Sequence, residues 1–274
     1  MTREIQGKDQ RITSLQNEKV KQVVKLRQRA RRDEQGLLIV EDERELQRAL
    51  KNNRRPASLF YCRDFFAGNN EAAFVSQCRA AGAEVISCAP EVFAKMAYRE
   101  RPGGILALVP QVKYDLSGLK LPASPLLVVA EAIEKPGNLG TILRSADAAG
   151  ADAVIVCDRC TDVNNPNVVR ASVGAIFTVP VAETSSEETI KWLREKKIQI
   201  VAASPHARLA YTQADLRRGT AIVVGEEHQG LSALWMKTAD LPVRIPMRGQ
   251  VDSLNVAAAT TILLFEAARQ RNAG

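Results

Sequence analysis

The sequence predicts an α/β protein of two domains, a small N-terminal sandwich followed by a larger C-terminal sheet domain. Short apolar runs alternate with helical patterns along most of the chain, as they do in sheets covered by helices. The alternation lapses once, over residues 110–125, where Pro110, Gly118, Pro122 and Pro125 interrupt any periodicity. A chain of 274 residues is long enough for two ordinary domains. The expected boundaries are therefore 1–109, a linker at 110–125, and 126–274.

The elements follow in order. From Asn17 to Arg32 the pattern is helical, with Val20, Val23, Val24 and Leu26 mostly on one side. Then come a strand at Leu37–Val40, a helix at Glu43–Lys51, a strand at Leu59–Cys62, a helix at Glu71–Ala80 and a strand at Glu84–Ser87. A short helix at Glu91–Ala97 and a strand at Gly104–Leu108 close the first domain. Beyond the linker, strands are expected at Leu126–Ala130, Ala153–Cys157, Phe177–Val181, Gln199–Ala203, Ala221–Val224 and Val243–Ile245. The clearest helices between them are Leu139–Ala149 and Thr189–Lys196. A last helix enters at Ser253-Leu-Asn255 and runs to about Arg269.

Composition bounds the partners. The net charge of +7 is uneven, because residues 1–110 hold 20 Lys/Arg against 14 Asp/Glu. Lys19, Lys21, Lys25, Arg27, Arg29, Arg31 and Arg32 follow one another with no acid among them. An uncompensated basic run of this kind is best explained by contacts to a polyanion's phosphates. No apolar run reaches membrane-spanning length, and Met1-Thr-Arg-Glu4 does not begin a signal peptide. The five cysteines are odd in number and scattered, which fits a reducing cytoplasm rather than a disulfide framework. Cys157-Asp-Arg-Cys160 has no second ligand pair, so no metal is expected there.

Three loops of the second domain follow strand ends, where open α/β sheets place ligands. The first, Glu134 to Arg144, presents Asn138 and Arg144, while Leu139, Ile142, Leu143 and Ala146 form its buried stripe. The second, Val224 to Ser232, carries Gly225 and Gly230 and offers bare backbone to a planar or charged ligand, with Glu227 able to orient an arginine. The third, Ile245 to Ala259, collects Arg248, Gln250, Asp252, Ser253 and Asn255 within eight residues. One of these suffices to cap the following helix, so the surplus points to a binding surface. A dinucleotide site is disfavoured, since Gly137 and Gly140 do not make G-x-G-x-x-G.

In this order and spacing, N-L-G-x-x-x-R (138–144), G-x-E-x-x-G (225–230) and I-P-M-x-G-x-x-x-S-L-N-V (245–256) resemble the SpoU, or TrmH-like, family. These are RNA 2′-O-ribose methyltransferases of the SPOUT superfamily. The match covers residues 126 to about 270. The stretches Asn17-x-Lys-Val-Lys21, Leu37-Leu-Ile-Val-Glu41 and Met96 through Gly104-Ile-Leu-Ala107 are similar to the substrate-binding domain of ribosomal-RNA members, itself similar to kink-turn-binding ribosomal proteins. Asp42 departs from the pattern, in which many relatives carry glycine.

The resemblance implies a deep trefoil knot, a homodimer formed through the C-terminal domain, and S-adenosylmethionine as cofactor. It implies Gly225, Ile245, Met247 and Leu254 around that cofactor, with the Ala203-Ser204 loop lining the adenine. It implies Asn138, Arg144, Glu227, Ser253 and Asn255 as the catalytic set, and Arg170 near the partner's site. With the basic run, the RNA-binding candidates are Asn17, Lys19, Lys21, Lys25, Arg27, Arg29 and Arg170. Ribosomal RNA is the expected substrate. A transfer-RNA ribose methyltransferase and a non-catalytic ribosome-assembly protein on the same fold stand as alternatives.

Overall fold

The computed structural model describes residues 10–226 and 229–272. Its contacts divide the chain into two units: residues to Gln111 with Asn164–Phe177, and Val112–Val163 with Thr178 onward. The segment 164–177, inside the second domain on sequence grounds, thus groups with the first unit.

The first unit runs β1 (Gln10–Ile12), α1 (Glu18–Lys25), α2 (Arg29–Gln35), β2 (Leu37–Val40), α3 (Glu43–Lys51), β3 (Ser58–Tyr61), α4 (Glu71–Ala80), β4 (Glu84–Cys88), α5 (Pro90–Met96) and β5 (Ile105–Pro110). The strands form a mixed sheet in the order β1-β4-β3-β5-β2, with β5 antiparallel to both neighbours. Ile39, Phe60, Ile86, Phe93 and Leu106 fill one core between sheet and helices. Strand β1 has no counterpart in the sequence reading; three residues with two polar side chains carry no readable alternation.

The helix expected from Asn17 to Arg32 is instead two helices. The break has a visible cause in Arg32, which is 2% exposed. Its guanidinium donates to the carbonyls of Leu26 and Arg27, both at 2.8 Å, and so satisfies the end of α1 that a continuous helix would have bonded itself.

The second unit runs β6 (Leu126–Glu131), α6 (Pro136–Ala149) and β7 (Ala153–Cys157), leaves for α7 (Pro166–Ala171) in the segment that joins the first unit, and returns as β8 (Val181–Thr184). It continues through α8 (Ser186–Glu195), β9 (Gln199–Ala203), β10 (Leu209–Ala210), β11 (Thr220–Val224), α9 (Ala233–Thr238), β12 (Leu241–Arg244) and α10 (Val256–Asn272). The seven strands are all parallel, in the order β10-β12-β9-β11-β6-β7-β8. A sheet buried on both faces requires apolar strands throughout, and β6, β7 and β11 are buried at every position.

The strand expected at Phe177–Val181 is displaced. Residues 175–177 form a 3-10 turn, and the strand begins only at Val181. Pro180 has no N–H for the ladder, so it precedes the strand rather than continuing it. The last helix starts at Val256, after Asn255, rather than at Ser253.

Candidate active site at the carboxyl edge of the parallel sheet

The strand order reverses between β6 and β11: β7 and β8 lie to one side, and β9, β12 and β10 to the other. Crevices outside the carboxyl ends at such a point are where open parallel sheets bind ligands. All three loops singled out in the sequence leave from this edge. Register places them close together, because Val224 pairs with Ala130, Val223 with Ala202, and Val243 with Ala203.

The first loop turns at Ala132, a non-glycine residue with φ +51°, and enters α6 through Pro136. Asn138 is half-buried in the first helical turn, while Arg144 is exposed two turns on. The third loop brings Asn255 to this helix. Its Nδ2 donates to Asn138 Oδ1 at 3.2 Å, while its Oδ1 accepts from the N–H groups of Ala257 and Ala258 at 3.0 and 3.3 Å. Asn255 is therefore the cap of α10 and the link to α6 at once. A second link, Ser145 Oγ to Thr261 Oγ1 at 2.7 Å, joins the two helices about two turns further on. Ser253 is exposed, its hydroxyl 3.4 Å from neighbouring Asp252. Glu227 lies outside the described residues.

The second loop doubles back tightly. Gly230 N donates to Glu226 O at 3.0 Å, and Gly230 has φ +70°. A Cβ on Gly225 would stand 2.3 Å from the Gly230 carbonyl oxygen, so only glycine fits without movement. Ser204 N donates to Val243 O at 2.9 Å, which fastens the Ala203-Ser204 turn to β12. Ile245 and Met247 are half-buried, while Leu254 is 37% and Val251 63% exposed. Apolar side chains left partly uncovered beside a bare glycine loop suit a ligand with a flat neutral ring and a short polar tail. These residues thus fit S-adenosylmethionine. Glu131, the last residue of β6, escaped the sequence reading. It is buried, and its Oε2 accepts from Ser232 N at 2.9 Å; the only signal for it is a charged residue ending an otherwise apolar run.

The basic run of the first unit is not uncompensated, which corrects the expectation. Acids flanking the run and one from β4 meet it: Lys21 pairs with Glu18 at 2.8 Å, Arg29 with Asp33 at 3.4 Å, and Lys19 with Glu84. Arg27 donates to the carbonyls of Lys95 and Ala97 at 3.0 and 2.7 Å. Asn17 caps α1 by accepting from Lys19 N at 2.9 Å, and Lys25 is exposed. Arg170, exposed at the end of α7, donates to Asn167 Oδ1 at 3.0 Å. Nearby, Arg99 faces Glu41, Asp42 and Glu45. Burial, reinforced by Asp42, pushes the Glu45 carboxyl up to about 7 despite Arg99.

The chain is similar to known proteins along most of its length. Residues 125–265 match the model of the SpoU rRNA Methylase family, and residues 17–107 match the MRM3-like substrate binding domain. The chain is 33% identical over 261 residues to an uncharacterized tRNA/rRNA methyltransferase of Synechocystis sp., covering 95% of this chain and 94% of that one. It is 34% identical over 198 residues to a 23S rRNA (uridine(2479)-2′-O)-methyltransferase of Streptomyces viridochromogenes, covering 70% and 69%. The crystal structure of an AdoMet-bound rRNA methyltransferase from Sinorhizobium meliloti superposes with a TM-score of 0.87 at 31% identity, covering 96% of this chain and 98% of that one. With its three loops gathered on one sheet edge and these matches along its length, the chain belongs to the SpoU rRNA methylase family.

Proposed function

We propose that the protein transfers a methyl group from S-adenosylmethionine to a ribose 2′-hydroxyl of RNA, with ribosomal RNA as its substrate. The observation that carries this reading is the Asn138–Asn255 hydrogen bond, which joins the first and third loops at the switch point beside Gly225. When bound, S-adenosylmethionine supplies a methyl group on a sulfonium leaving group. The chain's own task is then to bring a ribose oxygen in line and help its proton leave, and positioning can supply most of the acceleration.

Arg144 is too basic for an ordinary general base. Its role is to bind the phosphate next to the reacting ribose and to stabilise negative charge on the 2′-oxygen, the proton passing to that phosphate. Asn138, Ser253 and Asn255 orient the sugar and the arginine, and Glu227 holds the arginine. Gly225, Ile245, Met247 and Leu254 wall the cofactor, with Ala203 and Ser204 against its adenine. The second and third loops build a deep trefoil knot, as the family resemblance implies.

Lys19, Lys21, Lys25, Arg27, Arg29 and Arg170 serve RNA binding, with Asn17 ordering the start of α1. Exposed ion pairs of the kind found here hold by only about 0–1 kcal/mol, so RNA phosphates can displace the acids. The chain acts as a homodimer through its C-terminal domain; the 49% exposure of Phe265 on α10 supports an interface on that helix. Five unpaired cysteines, four of them buried, support a cytoplasmic location.

The test is methyl transfer from labelled S-adenosylmethionine to ribosomal RNA, with Arg144→Ala alongside. The variant is expected to lose at least about a hundredfold in kcat, on the scale of removing one oxyanion-stabilising donor, while cofactor affinity holds. Wild-type rates in Arg144→Ala would remove the assigned role. An absence of ribose methylation by the wild-type protein on any ribosomal or transfer RNA would favour the non-catalytic reading.

A further inference from the structure

We propose that Glu131 is a positioning residue that holds the second loop of the active site in its cofactor-ready shape. The inference rests on the methyltransferase reading and adds to it a residue outside the three motifs.

Strand β6 is an apolar run that ends in Glu131, and this carboxylate is only 5% exposed. A buried carboxylate is retained only where it finds donors. Glu131 finds one in Ser232, whose backbone N–H lies 2.9 Å from Oε2, a charge-assisted bond across 101 positions of sequence. Ser232 closes the second loop and caps α9, its hydroxyl accepting from Trp235 N at 3.5 Å. Trp235 is fully buried, so the far side of the latch is anchored in the core.

The near side is anchored as well. Val224 pairs with Ala130 and Cys157 with Glu131, so Glu131 stands beside Gly225 on one flank and is laddered to β7 on the other. The next residue, Ala132, has φ +51°, a left-handed turn that a side chain rarely adopts, and its N–H donates to Cys157 O at 3.0 Å. Glu131 is thus the point from which the first loop leaves and to which the second returns. Inside the second loop Glu226 bridges Gly230 in antiparallel fashion, and Gly230 N donates to Glu226 O at 3.0 Å. The bond to Ser232 ties the chain down immediately after that bridge. The carboxylate faces a backbone amide of the protein rather than the reacting atoms, which makes its role one of positioning.

The chemistry of the pin decides the variants. Glutamine keeps an acceptor oxygen at the same reach, alanine removes it, and aspartate is one methylene too short. The full chain and Glu131→Ala, Glu131→Gln and Glu131→Asp are compared by calorimetry with S-adenosylmethionine, by amide hydrogen exchange without cofactor, and by steady-state methylation of ribosomal RNA. In Glu131→Ala, cofactor affinity and the KM for S-adenosylmethionine are expected to worsen about tenfold or more, with kcat at saturating cofactor and the KM for RNA within about threefold. The amides of Gly225, Glu226, Gln229, Gly230, Leu231 and Ser232 are expected to exchange faster, and Glu131→Gln to restore most of both effects. Wild-type cofactor affinity together with wild-type exchange at Ser232 in Glu131→Ala overturns the proposal. If Glu131→Ala does not fold, Glu131→Asp is held to the same two outcomes. If the wild-type protein itself fails to bind S-adenosylmethionine, the cofactor reading falls. The exchange comparison then still decides whether Glu131 holds the loop.

Discussion

Gly225→Ala tests the second loop most directly. The φ of Gly225 lies outside the left-handed region, so a side chain there is opposed by space and not by backbone preference. The added Cβ would lie 2.3 Å from Gly230 O, 2.5 Å from Gly230 C and 2.7 Å from Leu231 N. Cβ atoms essentially never approach closer than 3.0 Å, so the loop must open by at least about 0.7 Å (3.0 less 2.3). All three opposing atoms are backbone, and no rotamer change can relieve them. The available escape is to give up the Gly230–Glu226 hydrogen bond, worth about 1 kcal/mol, with some further strain to a total of about 1–3 kcal/mol. For a domain of this size that corresponds to a fall in Tm of roughly 2–12 °C. Cofactor affinity should suffer as well, since the loop moves away from the site; a loss on the order of tenfold is about 1.4 kcal/mol. Scanning calorimetry and cofactor titration measure the two effects. A variant with both Tm and affinity unchanged would refute the assignment of this loop as a close-packed cofactor wall.

Other outcomes follow from the same geometry. Asn138→Ala and Asn255→Ala should each slow methyl transfer, and the double variant should lose less than the sum, with a coupling of about 0.5–1.5 kcal/mol; strict additivity would show that their hydrogen bond does not operate in the reaction. Arg32→Met should destabilise the first unit by about 2–4 kcal/mol in denaturant unfolding, because the two carbonyls ending α1 lose a buried charged donor; an unchanged midpoint would contradict the structural role assigned to this arginine. Glu45, with its carboxyl raised to about 7 from an ordinary value of 4.5, binds more protons folded than unfolded between those limits. Its contribution to stability is therefore complete below about pH 4.5, declines as pH rises to about 7, and is flat beyond. Glu45→Gln should flatten that decline in melts recorded from pH 5 to 8, whereas an identical slope in the variant would assign the pH dependence to other groups.

Much of the fold was legible because burial on both faces leaves a simple mark. Ala153–Cys157 and Gln199–Ala203 are strands with the limits read from sequence, since runs so apolar and so short have no other stable use in a parallel sheet. Glu43–Lys51 and Glu71–Ala80 likewise hold their limits, as amphipathic helices between strands. Some of the differences fall where the deciding partner is distant. Whether residues 17–32 make one helix or two depends on the buried guanidinium of Arg32 folding back on the end of α1. Whether Lys19 is uncompensated depends on Glu84, 65 positions away, whereas the acids that meet Lys21 and Arg29 flank the run in sequence. The strand after β7 waits for Val181 because of Pro180, a local signal that was there to be used.

The alternation of elements and the polar make-up of the three loops are legible in the chain alone, because both are carried by residue type at short spacing. Only the tertiary structure decided that Asn255 reaches Asn138 across 117 positions. It alone revealed that Glu131, in no motif, ties Ser232 to the end of β6, and that residues 164–177 join the first unit. The reason is physical. Side-chain periodicity reports which face of an element is buried, whereas a hydrogen bond or close contact between distant segments depends on how the intervening sheet is ordered. That order is not written in any local pattern.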